Sequence, residues 1–315
     1  MMTNIKISAS KSSEIIEHIG WFSKDNLPLT LSDKTFALGG HYGIEIPVIN
    51  NLKNLQATIN ALKSLDVPCT RFNETIGAFL LSDSEIKEML SLCYENSYGM
   101  FFSIGPRPEY DIKASFYRSQ FGLEMGRRLN NNDAIRVSVE EAIRLAELGC
   151  RGLIIYDVGL MYLLKRMQEN SYLPKNMLFK ASSHCMVTNP GIAIIYAEQG
   201  CTSITTIHDL GLSMLANIRN VIDIPLDIPT DVYRSKGGFI RFYELSEIVQ
   251  VASPVMLKMG ASVQGHPYDP VKEDLAVDRI RRIKVGIEIM KKHLPLECKM
   301  INSKDTQVCL PEIKK

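Results

Sequence analysis

Apolar positions along this chain alternate between two patterns: short continuous runs, and longer stretches with apolar residues at helical spacing. The middle of the chain shows the repeat most plainly. Val139 to Leu148 has helical spacing, with Ser138 and Glu141 placed as a capping box and Gly149 as its stop. Arg151 to Asp157 then reads as a buried strand ending on Asp157, and Gly159 to Glu169 as a helix closing before Pro174. Met177 to Ser183 is the next strand. Asn189 and Pro190 supply an N-cap and a first-turn proline for a helix that Gly200 closes. Thr202 to Thr206 (strand), Asp209 to Ile218 (helix), Val221 to Asp227 (strand), Phe239 to Val251 (helix) and Pro254 to Lys258 (strand) continue the alternation. Asp274 to His293 is a long terminal helix.

The first part repeats the theme less regularly. Strands are expected at Gly43 to Ile49, Pro68 to Phe72 and Gly99 to Ile104, with helices at Leu52 to Leu65 and Asp83 to Glu95. Strands alternating with helices imply a parallel sheet with right-handed crossovers. Eight such units, starting near residues 43, 68, 99, 151, 177, 202, 221 and 254 of 315, favour closure into an α/β (β/α)8 TIM-type barrel. No Gly-x-Gly-x-x-Gly follows the first strand, so the open dinucleotide-binding sheet lacks its main support. The expectation is one domain over residues 1–315, with an N-terminal extension over 1–35. Residues 106–137 form an insert after strand three, aromatic and basic (Tyr117, Arg118, Phe121, Arg127, Arg128), that would lie at the strand-end face as a lid or a packed helix.

Composition narrows the class. The chain is 45% hydrophobic and 23% charged, as a folded globular protein is. Basic and acidic residues number 36 and 35, a balance that argues against tracking along nucleic acid. Arg279, Arg281 and Arg282 read as one solvated helix face. Seven scattered cysteines without a Cys-x-x-Cys pair fit reduced thiols, and their spacing supports no metal cluster. No run is apolar enough to span a bilayer and Met1 to Ser13 lacks a secretory pattern, so a cytoplasmic location is the default expectation, with no membrane partner. Self-association into a homo-oligomer is left open.

In such barrels chemistry sits where strands end. Those positions here are unusually ionisable: Glu45, Arg71, Arg107, Asp157, Lys180 with Ser182 and His184, His208, Asp227 and Lys258. Lys180, Asp227 and Lys258 interrupt otherwise apolar strands. A charge there must be paired or functional, because burying it alone costs several kcal/mol. Lys258 has two readings: a Schiff-base nucleophile with apolar neighbours, or a structural cation that neutralises Asp227 on the adjacent strand or binds a substrate anion. His184 and His208 follow adjacent strands. They read as an acid–base pair or, with Asp157 and Asp227, as a divalent-metal set. Arg234, Lys236, Gly237 and Gly238 precede a helix and read as an anion-binding loop or as an ordinary turn.

Three stretches carry a family resemblance: Gly152-Leu-Ile-Ile-Tyr-Asp-Val-Gly-Leu160, Lys180-Ala-Ser-Ser-His-Cys-Met-Val-Thr-Asn189, and the segment from Glu198 to Leu212. Over residues 137–260 the chain resembles the collagenase-like peptidase family, peptidase family thirty-two of unassigned mechanism. The resemblance implies a barrel-like fold and proteolysis, in a family with members that assist hydroxylation of RNA or quinone precursors. The family's cysteine signature after the seventh strand is replaced here by Asp227-Ile-Pro-Thr-Asp-Val-Tyr-Arg-Ser-Lys-Gly-Gly238, so no iron–sulfur cluster is expected.

The functional expectation is therefore an enzyme, hydrolase or lyase, acting at the barrel mouth on a small carboxylated or phosphorylated substrate. His184 or His208 would be acid–base; Asp157, Asp227 and Glu45 charge partners or metal ligands; Lys258 with Arg71 anion binders or electrophilic helpers. Arg107, Lys180, Ser182 and the Arg234–Gly238 loop complete the expected substrate-binding set. The alternatives are a Schiff-base aldolase using Lys258 and a non-catalytic subunit presenting the barrel face to RNA or a protein partner.

Overall fold

A computed structural model describes residues 9–23, 25, 30–105, 127–267, 269, 271 and 273–313. Eight parallel strands follow one another around a closed barrel: β1 (Tyr42–Ile46), β2 (Arg71–Asn73), β3 (Gly99–Ser103), β4 (Gly152–Ile155), β5 (Leu178–Ala181), β6 (Ser203–Thr205), β7 (Leu226–Pro229) and β8 (Val255–Lys258). The last strand pairs with the first, with Glu45 directly opposite Lys258. The helices between them are α2 (Leu52–Leu65), α3 (Asp83–Glu95), α4 (Asn132–Glu147), α5 (Val158–Glu169), α6 (Pro190–Glu198), α7 (Leu212–Val221) and α8 (Leu245–Ala252). A short α1 (Ala9–His18) precedes the barrel, and α9 (Glu273–His293) follows it. No described helix is long and apolar enough to cross a membrane.

Alternation along the strands sorts their side chains. Ile44, Ile46, Phe72, Phe102, Phe179, Ile228 and Leu257 point outward into the main apolar core with the helices. The intervening residues point into the barrel, and many of them are polar: Glu45, Arg71, Asn73, Lys180, Ser203 and Asp227 are each 0% exposed.

Some boundaries differ from the sequence expectation, each for a local reason. The helix expected from Val139 begins about two turns earlier, because Asn131 caps it and Ser138 turns its hydroxyl back onto the Ala134 carbonyl. Val221 closes α7 instead of opening a strand, and β7 starts only at Leu226. The stretch from Phe239 enters an antiparallel bridge and a 3-10 turn before α8 begins at Leu245. Asn189 and Pro190 cap and start α6 as expected.

After α9 the chain crosses the end of the barrel where the strands begin. Ile301 N–H donates to the Tyr42 carbonyl, Met100 N–H to that of Cys309, and Glu312 N–H to that of Gly149. Val308 and Cys309 are buried there. Gly99 allows the approach, since a Cβ on it would lie 1.6 Å from the Val308 carbonyl oxygen. The terminal segment thus plugs the barrel floor, and the opposite end, where strands stop, is left as the mouth.

Candidate functional site

At the mouth lies a cavity of about 80 Å³, room for several waters or a ligand of a few non-hydrogen atoms. Loops after most strands line it. Ser182, Ser183 and His184 come from the turn after β5, Thr205 and His208 from β6 and its loop, Asp231 and Tyr233 from beyond β7, and Lys258 from the end of β8. Ser182 sets the position of His184 by capping a 3-10 turn, its hydroxyl accepting the His184 N–H. The His184 ring packs against Tyr156, with centroids 5.5 Å apart, and the Arg127 guanidinium stacks on Tyr156 at 5.2 Å. The buried Thr205 hydroxyl has no hydrogen-bond partner among the described residues.

Beneath the cavity the barrel is filled by charges. Glu45 accepts Arg71 Nε at 2.6 Å, Asn73 Nδ2 at 2.5 Å and Lys258 Nζ at 3.1 Å, and is also bonded by Lys180 Nζ. Asp227 takes Arg71 Nη2 at 2.7 Å, Lys180 Nζ at 3.0 Å and the Ser203 hydroxyl at 3.2 Å. The Phe101 ring seals one side, 4.7 Å from the Arg71 guanidinium carbon and 4.2 Å from Lys180 Nζ. Three cations therefore face two carboxylates. Burial pushes the Glu45 carboxyl up, but the charges of Lys180, Lys258 and Arg71 outweigh it and hold it well below the usual range. Burial, then the Arg71 charge, pushes Lys180 down to about 8 against the pull of Asp227 and Glu45. Of the three cations only Lys258, 13% exposed, reaches the cavity.

His208 stands above this excess charge. Burial, then repulsion from His184 and Lys258, pushes its imidazole down to about 4, so it is neutral at pH 7. Unfolding restores a value near 6.5, so the unfolded chain takes up the proton first as pH falls. Native stability is then full above pH 6.5 and lost progressively towards pH 4, by on the order of 3 kcal/mol for this group. His208→Gln is expected to flatten that limb in urea titrations at pH 7, 5.5 and 4.5; an acid limb as steep as in the parent protein would contradict the burial of a neutral imidazole.

The structure thus brings His184, His208, Lys258 and Ser182 together at one cavity. Glu45, Arg71, Lys180 and Asp227 lie one layer deeper, fully buried and bonded to one another, outside the lining of the cavity. Lys258 pairs with Glu45 and not with Asp227. On β7 it stands opposite Pro229, with Asp227 two residues lower opposite Met256, whereas Glu45 on β1 is level with it. Asp157 is the N-cap of α5, accepting the Leu160 N–H at 3.0 Å and the Leu129 N–H at 3.3 Å. With Asp157 capping and Asp227 bound by Arg71 and Lys180, the four-residue metal set is not assembled. No group of three such ligands converges among the described residues. Arg107 lies outside the described residues.

The loop after β7 is a hairpin pinned to its neighbour, not a helix N-terminus. Arg234 N–H donates to the Gln264 carbonyl and Ser235 N–H to that of Gly265. Gly237 and Gly238 follow the Arg234–Lys236 turn with φ of 101° and 66°, and their N–H groups are spent on the carbonyls of Arg234 and Tyr233. Nor do all three late arginines share a solvated face: Arg281 and Arg282 are exposed, Arg282 also reaching Ser262, but Arg279 is fully buried and donates to Gln264.

Asp231 is the residue that sequence reasoning missed. It is 1% exposed, lines the cavity, and accepts the N–H groups of Gly260 and Ser262 at 2.7 and 2.9 Å, which fixes the loop after β8. Burial pushes its carboxyl up against those hydrogen bonds. Carrying the inward period of two from Asp227 through Pro229 would have reached it. All seven cysteines are free. Cys185, beside His184, is buried and its thiol pushed up to about 11, so it is not poised as a thiolate.

No family model matches the chain, and no curated protein matches it. Solved structures similar to it include the YdjI aldolase from Escherichia coli K12, 13% identical, with 80% of this chain and 90% of that one covered at a TM-score of 0.46. The U32 peptidase Mk0906 is 13% identical over 67% of this chain and 74% of that one, at 0.40. A structure described as native KDPGal is 10% identical over 85% and 98%, at 0.48. At these identities and scores the likenesses carry no argument about chemistry.

Proposed function

We propose that the barrel is an enzyme that captures a small anionic carbonyl compound at its mouth, with Lys258 as the amine that forms a Schiff base. The observation that carries this reading is the charge count. Three cations and two carboxylates share a sealed interior, and Lys258 is the one cation among them that opens into the cavity. Lys258 Nζ is the one amine of that network that a substrate carbonyl entering the cavity can meet. The free amine attacks the carbonyl carbon, its nitrogen passes one proton to the carbonyl oxygen, a second proton from solvent completes the leaving water, and the iminium remains. The iminium then withdraws electrons from the adjacent bond. His208, held neutral, is the nearby base for the proton that must be moved, and His184 shares the cavity with it. The Thr205 hydroxyl, without a partner among the described residues, offers the substrate oxygen a hydrogen bond. Arg127 and the surplus charge of the floor favour a carboxylate or phosphate on the substrate.

The test is reductive trapping. Incubation with pyruvate, glyoxylate or dihydroxyacetone phosphate, each followed by borohydride, is expected to add the reduced carbonyl compound to the Lys258 peptide with at least one of them. Mass mapping should find that adduct lost in Lys258→Met. Labelling of Lys258 no greater than that of exposed lysines such as Lys291, with every compound, would overturn the proposal.

A further inference from the structure

We infer that Lys180, which never reaches the cavity, is a positioning residue for the amine of Lys258: the two lysines share the Glu45 carboxylate, and a proton held by one is held at the expense of the other. This deepens the Schiff-base reading and rests on it for its importance, though not for its test. The geometry is closed on every side. Lys180 Nζ meets Glu45 from β1 and Asp227 from β7, with the Asn73 side-chain oxygen of β2 at 3.2 Å and the Phe101 ring of β3 at 4.2 Å. Arg71 on β2 bonds both carboxylates as well, and as a guanidinium it keeps its charge at all working pH values. Lys258 on β8 meets the same Glu45 from above at 3.1 Å. Ser203 on β6 adds a hydroxyl to Asp227 and no charge.

Arg71 thus takes one charge equivalent of the two carboxylates, and one equivalent remains for two lysines. Each ammonium is disfavoured by the presence of the other. The sealed lysine is therefore the device by which the fold keeps the open one available as an amine. It would do so without touching substrate, which separates it from Lys258 itself. Burial and the Arg71 charge, pushing Lys180 down to about 8, are consistent with a group that exchanges its proton in the working range.

The experiment needs no substrate. Competitive labelling with acetic anhydride at pH 7.5, with exposed lysines as internal standard, reads how much of Lys258 is free amine. In Lys180→Met the competitor is gone, one lysine faces one remaining charge, and labelling of Lys258 is expected to slow about tenfold. In Lys180→Arg the competitor cannot release its proton, and labelling is expected to rise above that of the parent protein. A merely structural role predicts the opposite for Met, since loosening the floor exposes Lys258 and speeds its reaction. Unchanged or faster labelling in Lys180→Met would overturn the inference.

Lys180 variants that fail to fold leave a second measurement on the parent fold. With lysine Cε labelled by carbon-13, the Lys180 titration followed by NMR is expected to move up by about one pH unit in Lys258→Met, a tenfold change in proton affinity. A midpoint that does not move would overturn the inference as surely. Coupled titration without any trapped adduct would remove the Schiff-base reading alone, and a trapped adduct with independent lysines would remove this inference alone.

Discussion

Replacing Glu45 by Gln is expected to cost about 3–5 kcal/mol of folding stability, the loss typical of removing one member of a buried ion network. The shape of the side chain is kept, and its oxygen can still accept the Asn73 amide. What disappears is the one negative charge bonded by Arg71, Lys180 and Lys258 together. Asp227 alone would then face three cations, two of which, Arg71 and Lys180, are fully buried. Urea titrations at pH 7 measure the loss.

The cost should also fall as pH rises. The lysines left without Glu45 can relieve the imbalance by losing protons, and at pH 9 that release is cheaper than at pH 6. Adding Lys180→Met to Glu45→Gln removes one unbalanced cation, so the double variant should be more stable than the sum of the singles, a coupling that the two residues' direct contact makes measurable. A Glu45→Gln penalty under about 1 kcal/mol, or strict additivity, would mean that the interior is not the sealed network described.

How much of this was readable from sequence depends on which physical rule decides each residue. Strands and helices were legible because their periods are local. The eight units and the barrel follow from the alternation, and the caps at Asn189 and Pro190 from short-range chemistry. The ionisable residues were also visible, since a Lys or Asp inside an apolar run stands out. Their depth and their partners were not.

Lys258 finds Glu45 only because the barrel closes β8 onto β1, and which residue lies level with it is a matter of register across more than two hundred positions. Asp157 illustrates a different limit. An Asp at a strand-to-helix junction suits a site and an N-cap equally, and only the positions of the Leu160 and Leu129 N–H groups decide for the cap. Asp231 followed from an alternation that was stopped at Asp227, four residues short. The floor plug left no periodic signal at all, because its segment is held by backbone hydrogen bonds to strand starts and by a few buried side chains, Ile301, Val308 and Cys309, at no regular spacing.

Truncation after Leu296 is expected to prevent formation of the native barrel. The removed segment contributes Val308, 1% exposed, and Cys309, 3% exposed, to the floor, and burial of a side chain such as that Val is worth about 1.5–3 kcal/mol. It also supplies the Gln307 carbonyl that accepts Arg71 Nη1 at 2.6 Å. A hydrogen bond from a charged donor contributes about 1.5–3 kcal/mol. Without it, the guanidinium that organises both carboxylates would be left with an unmet buried N–H. These two losses alone, about 3–6 kcal/mol together, reach the lower end of the whole stability of an ordinary domain, about 5–15 kcal/mol. The expected result is a chain without cooperative thermal unfolding, soluble or not.

Gly99→Ala probes the same contact without shortening the chain. Its Cβ would sit 1.6 Å from the Val308 carbonyl oxygen and 2.9 Å from Arg71 Cβ, so either the plug or strand β3 must shift, at a cost of about 3 kcal/mol or more. Because the plug holds Arg71 and Arg71 holds Glu45, loosening the floor should also be felt at the mouth, as altered labelling of Lys258 in the Ala variant. A truncated chain that melts within about 3 °C of the full-length protein would show instead that the barrel closes without its floor.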